Sequence, residues 1–315
     1  VAQPKRLLLI APGKMITTLA FERAAQLAQG LDGTLRIVAF VPPDQGIVSA
    51  ARSDIPGSQR SPLWAFQRWL NAEAGLLGKG GLHVCAEVLW CPRTISNLCS
   101  YIKEAEVDYV IKDMEEDQSA KGPTLSALDW QLLHESPVPV LLVKPHGDKP
   151  SRRIIAAVNI LHCEPEVREM NRCLIETGYL LVRSFGASLH LLSVYDRHAL
   201  PVAQVDEHRP ASMLSYHQAR QRFDALADQY AIALQNRHFV VSEAAGNIGH
   251  YVSRNGFDVL VFGTKDYLST DLLLGRTEHC VLGDPPCSVL AYKSPSFSTS
   301  NVIHEANNFV AMHAP

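Results

Sequence analysis

The sequence predicts an α/β protein built from two tandem five-stranded parallel-sheet domains. Two observations carry this reading: a repeat of about 150 residues, and a regular alternation of apolar strands with helical segments inside each copy. The phrase TLSALDWQLLHESPVPVLLVKP from Thr124 matches LLGRTEHCVLGDPPCSVLAYKSP from Leu273, with Lys144 opposite Lys293, Pro137 opposite Pro286 and Leu133 opposite Leu282. The preceding strands match as DYVIKD from Asp108 and DVLVFG from Asp258, and the opening strands as RLLLIAP from Arg6 and RIIAAVN from Arg153. A period this long signals duplicated domains rather than a solenoid of short units.

In the first copy the strands read as 6–12, 34–42, 82–90, 108–113 and 139–144. Runs such as LLLI and VLLV are apolar almost without interruption, as strands buried on both faces must be. Helical stretches fall between them at 16–30, 63–78, 93–106 and 124–135. The first places Leu19, Ala20, Arg23, Ala24 and Leu27 at helical spacing, with Gly30 and Gly33 as expected stops. In the second copy the strands read as 153–159, 188–195, 238–244, 257–263 and 287–292, and the helices as 165–185, 211–234, 247–255 and 270–283. Strand–helix alternation implies a parallel sheet with helices on both faces. The expected domains are 1–148 and 149–293, followed by a tail, 294–315. Two polar, Pro-bearing segments, 42–62 and 197–210, follow the second strand of each copy, where a loop can flank a ligand crevice.

The composition narrows the function classes. The 315 residues suit about two domains, and 47% hydrophobic with 19% charged residues is ordinary for a globular chain. A net charge of −3 lacks the basic footprint of a dedicated nucleic-acid binder. No apolar stretch reaches membrane-helix length, and the opening run reads as a strand rather than a signal peptide. Seven cysteines without a Cys-x-x-Cys pair point to buried, reduced thiols in a cytoplasmic protein, with no zinc ribbon or thioredoxin-type site. No metal site is expected: His279 and Cys280 are adjacent on a predicted helix and face different ways, and His198 and His208 lack ligand spacing. Trp64 and Trp69, on one predicted helix with Leu70, read as packing or interface residues rather than base-stacking platforms. No Gly-x-Ser-x-Gly elbow, no P-loop and no Gly-x-Gly-x-x-Gly after an opening strand occurs, which argues against serine hydrolases, P-loop ATPases and dinucleotide dehydrogenases.

Over roughly 5–293 the order of these phrases, and LDWQLLHESPVPVLLVKP in particular, resembles the universal stress proteins, with the tandem E-type members nearest. The resemblance implies a Gly-x2-Gly-x9-Gly-[Ser/Thr] nucleotide loop after the fourth strand. Its glycines admit phosphate to backbone N–H groups, and the next helix offers its N-terminus. The second copy keeps Gly263 and Gly275 but has Asp266 for the middle glycine, eight residues instead of nine before Gly275, and Arg276 ahead of Thr277. The nucleotide contacts implied are Asn159, Val194, Gly263, Thr264, Lys265, Gly275, Arg276 and Thr277. The first copy has Pro12 in place of Asn159, and the acidic stretch from Lys112 to Gly122 in place of the loop, so no triphosphate is expected there.

The expected function is therefore stress tolerance through binding and regulation, with ATP and Mg2+ as the cofactor it allows and otherwise none. No catalytic residue is expected, and turnover is at most that of a slow ATPase. The alternative is a scaffold of the same fold that binds no nucleotide. Expected partners are a small-molecule nucleotide and, within the chain, the two halves paired as a pseudo-dimer. A homodimer is allowed, and neither nucleic acid nor membrane is expected.

Overall fold

The computed structural model describes residues 4–43, 62–115, 125–145, 152–162, 164–196, 215–242, 247–264 and 285–293. The first half runs β1 (Arg6–Ile10), α1 (Leu19–Gly30), β2 (Thr34–Phe40), α2 (Pro62–Leu77), β3 (Val84–Leu89), α3 (Ile95–Glu104), β4 (Tyr109–Asp113), α4 (Ala127–Glu135) and β5 (Val140–Val143). The second runs β6 (Arg153–Ala157), α5 (Pro165–Phe185), β7 (Ser188–Asp196), α6 (Tyr216–Gln229), β8 (Arg237–Ser242), α7 (Asn247–Arg254), β9 (Val259–Thr264) and β10 (Ser288–Lys293). The helix expected at 270–283, the tail 294–315 and most of the two long loops lie outside the described residues.

The strands form one ten-stranded sheet in the order β3-β2-β1-β4-β5-β10-β9-β6-β7-β8. Pairing is parallel within each half, so the expected pair of five-stranded parallel arrays is present, fused edge to edge. The join is antiparallel, with Leu141 opposite Leu290 and Val140 opposite Ala291. Leu7 to Ile10 are fully buried because helices cover both faces. Phe21, Leu70, Leu174 and Phe223 bring α1, α2, α5 and α6 onto one face, and Leu98, Leu132 and Val252 bring α3, α4 and α7 onto the other. Among the described residues, no helix is long and apolar enough to cross a membrane.

Helix ends follow local chemistry. Thr94 and Ser126 accept N–H groups from Asn97 and Asp129 at the starts of α3 and α4, and Ser215 with Gln218 forms a capping box on α6. α5 stops at Gly186, whose φ of 62° is left-handed. Helix α6 ends before the expected 234: the chain turns at Ala231, with φ 52°, into a 3-10 turn.

Gly30 and Gly33 are not the conformational stops expected, because the left-handed residue after α1 is Asp32, with φ 50°. Both glycines serve close approach instead. A Cβ on Gly30 would lie 2.2 Å from Ser184 Oγ of α5, and one on Gly33 would lie 2.4 Å from the Lys5 carbonyl oxygen. Gly30 thus lets α1 and α5 touch across the two halves. Beside that contact Arg23 pairs with Asp258 at 2.5 Å and lies over the Phe185 ring. At the strand seam Lys144 donates to the Pro285 carbonyl and Lys293 to the His134 carbonyl.

One packing expectation needs correction. Cys287 is buried, but Cys91, Cys99 and Cys173 are half-buried and Cys85 is exposed, since it sits on β3 at the end of the sheet. Trp69 packs edge-on against Phe21 and Phe66, whereas Trp64 is exposed in the first turn of α2, beneath Arg68.

Candidate functional site

In each half the strand order reverses direction between the first and fourth strands, and a doubly wound sheet opens its ligand crevice at that reversal, beyond the C-terminal ends of the strands. In the second half the crevice lies between β6 and β9, which pair through Ala156 and Val261. The ends of these strands therefore bring Asn159 beside Gly263 and Thr264. Buried Asn171 of α5 clamps the turn: its side-chain carbonyl accepts the Asn159 N–H at 2.9 Å, and its amide donates to the Asn159 carbonyl at 2.6 Å. Asn159 Oδ1 accepts the Leu161 N–H at 3.0 Å, so this oxygen already braces the turn.

Gly263 and Thr264 are the last two residues of β9, opposite Tyr292 and Lys293 of β10. A Cβ on Gly263 would lie 2.7 Å from Met170 Sδ, which makes this glycine a contact point between β9 and α5. Thr264 is 1% exposed, and its hydroxyl has no hydrogen-bond partner among the described residues. Val194 lies one strand further out, on β7 opposite Val240. Lys265, Asp266, Gly275, Arg276 and Thr277 lie outside the described residues.

The matching strand reversal of the first half carries a cluster of ion pairs. Lys112, buried on β4, lies 2.8 Å from Asp129 of α4 and 3.1 Å from Glu115, and it also donates to the Asp113 carbonyl. Arg93 grips both Glu115 oxygens, at 2.7 and 2.9 Å. Asp129 accepts the Glu115 N–H at 2.7 Å, and Thr18 donates to Asp113 at 2.6 Å. Burial pushes the Asp113 and Asp129 carboxyls up despite Lys112. Burial also pushes on Glu115, but Lys112 and Arg93 overcome it and hold the carboxyl below its ordinary value. Three carboxylates consume two cations here, so a polyphosphate would meet net negative charge in a low-dielectric space.

No family model matches the chain. It is 25% identical to universal stress protein E of Photorhabdus laumondii over 88% of its own length and 91% of that protein's, and 24% identical to the E homologue of Haemophilus influenzae over 66% and 69%. A solved structure of a functionally unknown protein from Pseudomonas aeruginosa PAO1 superposes with a TM-score of 0.70 at 20% identity, covering 98% of both chains. A second, from strain UCBPP-PA14 and described as a universal stress protein, gives 0.70 at 22%, covering 92% of this chain and 93% of that one. In sequence the chain is similar to E-type universal stress proteins along most of its length, and it shares the fold of a solved universal stress protein.

The two crevices of this tandem chain differ. Sequence reading recognised the acidic character of the first but missed that Lys112 and Arg93 pair with Glu115 and that Asp129 adds a further carboxylate to the cluster. The available signal was a lysine inside the buried strand YVIKD, which demands a carboxylate partner. Also missed was a pair of histidines, His190 and His238, on neighbouring strands of the second half.

Proposed function

We propose that this chain is a universal stress protein, a regulatory binding protein that holds at most one nucleotide per chain, in the crevice of residues 149–293, while residues 1–148 serve as a ligand-free partner domain. One observation carries the reading. The Thr264 hydroxyl is buried and unpartnered among the described residues at the strand reversal of the second half, and such a group is unfavourable unless a ligand satisfies it. Thr264 would bond the ligand, with the Asn159 turn and the Val194 strand end flanking it. Lys265, Arg276 and Thr277 would meet phosphate, and Gly275 would admit it. ATP with Mg2+ would supply the anionic, acceptor-rich chain that such a set suits.

Lys265 and Arg276 would hold charge in the ground state, which does not by itself speed hydrolysis. Turnover well below the ~10 per second typical of enzymes is expected in a steady-state assay with magnesium. The free thiols suit a reducing compartment such as the cytoplasm.

Equilibrium titration with labelled ATP tests the proposal. One site per chain, weakened by Gly275→Val, is expected; two equivalent sites, or none, would overturn it. A second reading, a scaffold without nucleotide, is favoured by Asp266 in the loop. Mass spectrometry of small molecules released from the purified protein separates the two.

A further inference from the structure

A hydrogen-bonded chain of aromatic side chains runs through the second half, near the N-terminal ends of β7 and β8 and away from the crevice. Ser188 Oγ lies 3.1 Å from His190 Nε2, His190 Nδ1 lies 2.9 Å from His238 Nε2, and His238 Nδ1 lies 2.7 Å from the Tyr251 hydroxyl. His190 is buried, 5% exposed, and Phe257 stands edge-on to both imidazoles. The chain joins β7, the edge strand β8 and helix α7.

The proton count of this chain is closed. All four ring nitrogens are used, and two neutral imidazoles bring one N–H each. Arg153 of β6 points its Nε–H at His190 Nε2 from 3.5 Å, which assigns that nitrogen as the acceptor. His190 then donates to His238, and His238 donates to Tyr251. A further proton on His238 Nε2 would face the His190 N–H, and one on His190 Nε2 would face the Arg153 guanidinium. Among the described residues nothing compensates the added charge. Arg153 is held by the Asn255 carbonyl and the Phe257 ring, the Asp258 carboxylate is engaged by Arg23, and His250 and Arg254 of α7 are exposed. Among the described residues no carboxylate acts on either imidazole.

We infer that the His190–His238–Tyr251 chain is an acid-responsive latch, which fastens α7 and β8 to the second half while both imidazoles are neutral and releases them when the imidazoles take up protons. This inference is independent of the nucleotide reading. Burial first, then Arg153 and His238, hold the His190 imidazole down to about 4, and burial and Arg153 hold His238 below its ordinary value. The opened state, with ordinary imidazoles, binds more protons than the closed one. The latch is therefore at full strength above about pH 6.5 and weakens as pH falls toward 4. His190 alone gives roughly a 30-fold loss of the closing equilibrium by pH 5.

Hydrogen exchange and imidazole NMR on the full chain test the latch. Between pH 7.5 and 5, after correction for intrinsic exchange, amides of α7 and β8 should lose at least tenfold protection, while those of α3 and β3 in the first half hold theirs. Equal loss in both halves, or none, would overturn it. In the wild type both rings should titrate below 6.5, and free titration at 6.5 would overturn the inference without any variant. The His190→Phe/His238→Phe double variant should flatten the pH dependence of α7 and β8, and an unchanged dependence would assign the effect elsewhere.

Discussion

Lys144 and Lys293 end equivalent strands and reach across the seam in opposite directions, Lys144 Nζ to the Pro285 carbonyl at 2.6 Å and Lys293 Nζ to the His134 carbonyl at 3.1 Å. The repeat in the sequence is thus a reciprocal interaction in space. Replacing either lysine by Met keeps most of its apolar stem and removes the charged donor. Each replacement should cost about 1.5–3 kcal/mol, as a charge-assisted hydrogen bond contributes. Urea unfolding of the full chain measures this, and an unchanged midpoint in both variants would remove the lysines from the account of the seam.

Gly30→Ala should be destabilising although alanine favours helix. The added methyl would meet the Ser184 side chain, and overpacking of this kind costs about 1–3 kcal/mol. In a Ser184→Gly background the same change should become neutral or favourable. A double-mutant cycle by denaturant unfolding gives the coupling, and additive effects would mean that α1 and α5 adjust freely.

Lys112→Met should be among the most harmful single changes, at about 3–5 kcal/mol, because it strands buried carboxylates without their cation. The Asp129 carboxyl, already pushed up by burial, would rise further and protonate more readily. The deficit relative to wild type should therefore be largest at neutral pH and shrink as pH falls. A deficit independent of pH would point to packing rather than charge.

Thr264→Val separates a ligand-seeking hydroxyl from an idle one. Without ligand it should raise stability by about 1 kcal/mol, since it removes an unpartnered buried hydroxyl while preserving shape. Nucleotide affinity should fall roughly tenfold, as the loss of one hydrogen bond implies. Raised thermal stability with unchanged affinity would leave the hydroxyl no role in binding.

The regular part of the architecture was legible because its signals are local. Buried parallel strands such as LLLI and VLLV announce themselves by unbroken apolar runs, and the matched phrases at Lys144 and Lys293 announce the duplication. Contacts between distant residues were not legible. Gly30 looks like a helix stop until Ser184, 154 positions later, is seen against it. Glu115, just after β4, looks like part of a repulsive patch until Lys112 and Arg93 fold onto it. His190 and His238 carry no motif spacing, since only the parallel register of β7 and β8 brings them together. The second crevice was legible as a loop pattern, whereas the unpartnered state of Thr264 is a property of packing alone.

Continuity of the sheet through β5 and β10 has a bearing on solubility. Two separate five-stranded arrays would present four flanks of unpaired backbone N–H and carbonyl groups, each a template for recruiting a foreign strand. Fusion at the seam removes two of them and leaves β3 and β8 as the flanks of the described sheet. Both carry gatekeepers: Glu87 on β3 bonded to Tyr101, and Arg237 on β8 tied to Asp228. The seam halves the backbone edge open to runaway strand addition, and ionic side chains guard what remains in the described sheet.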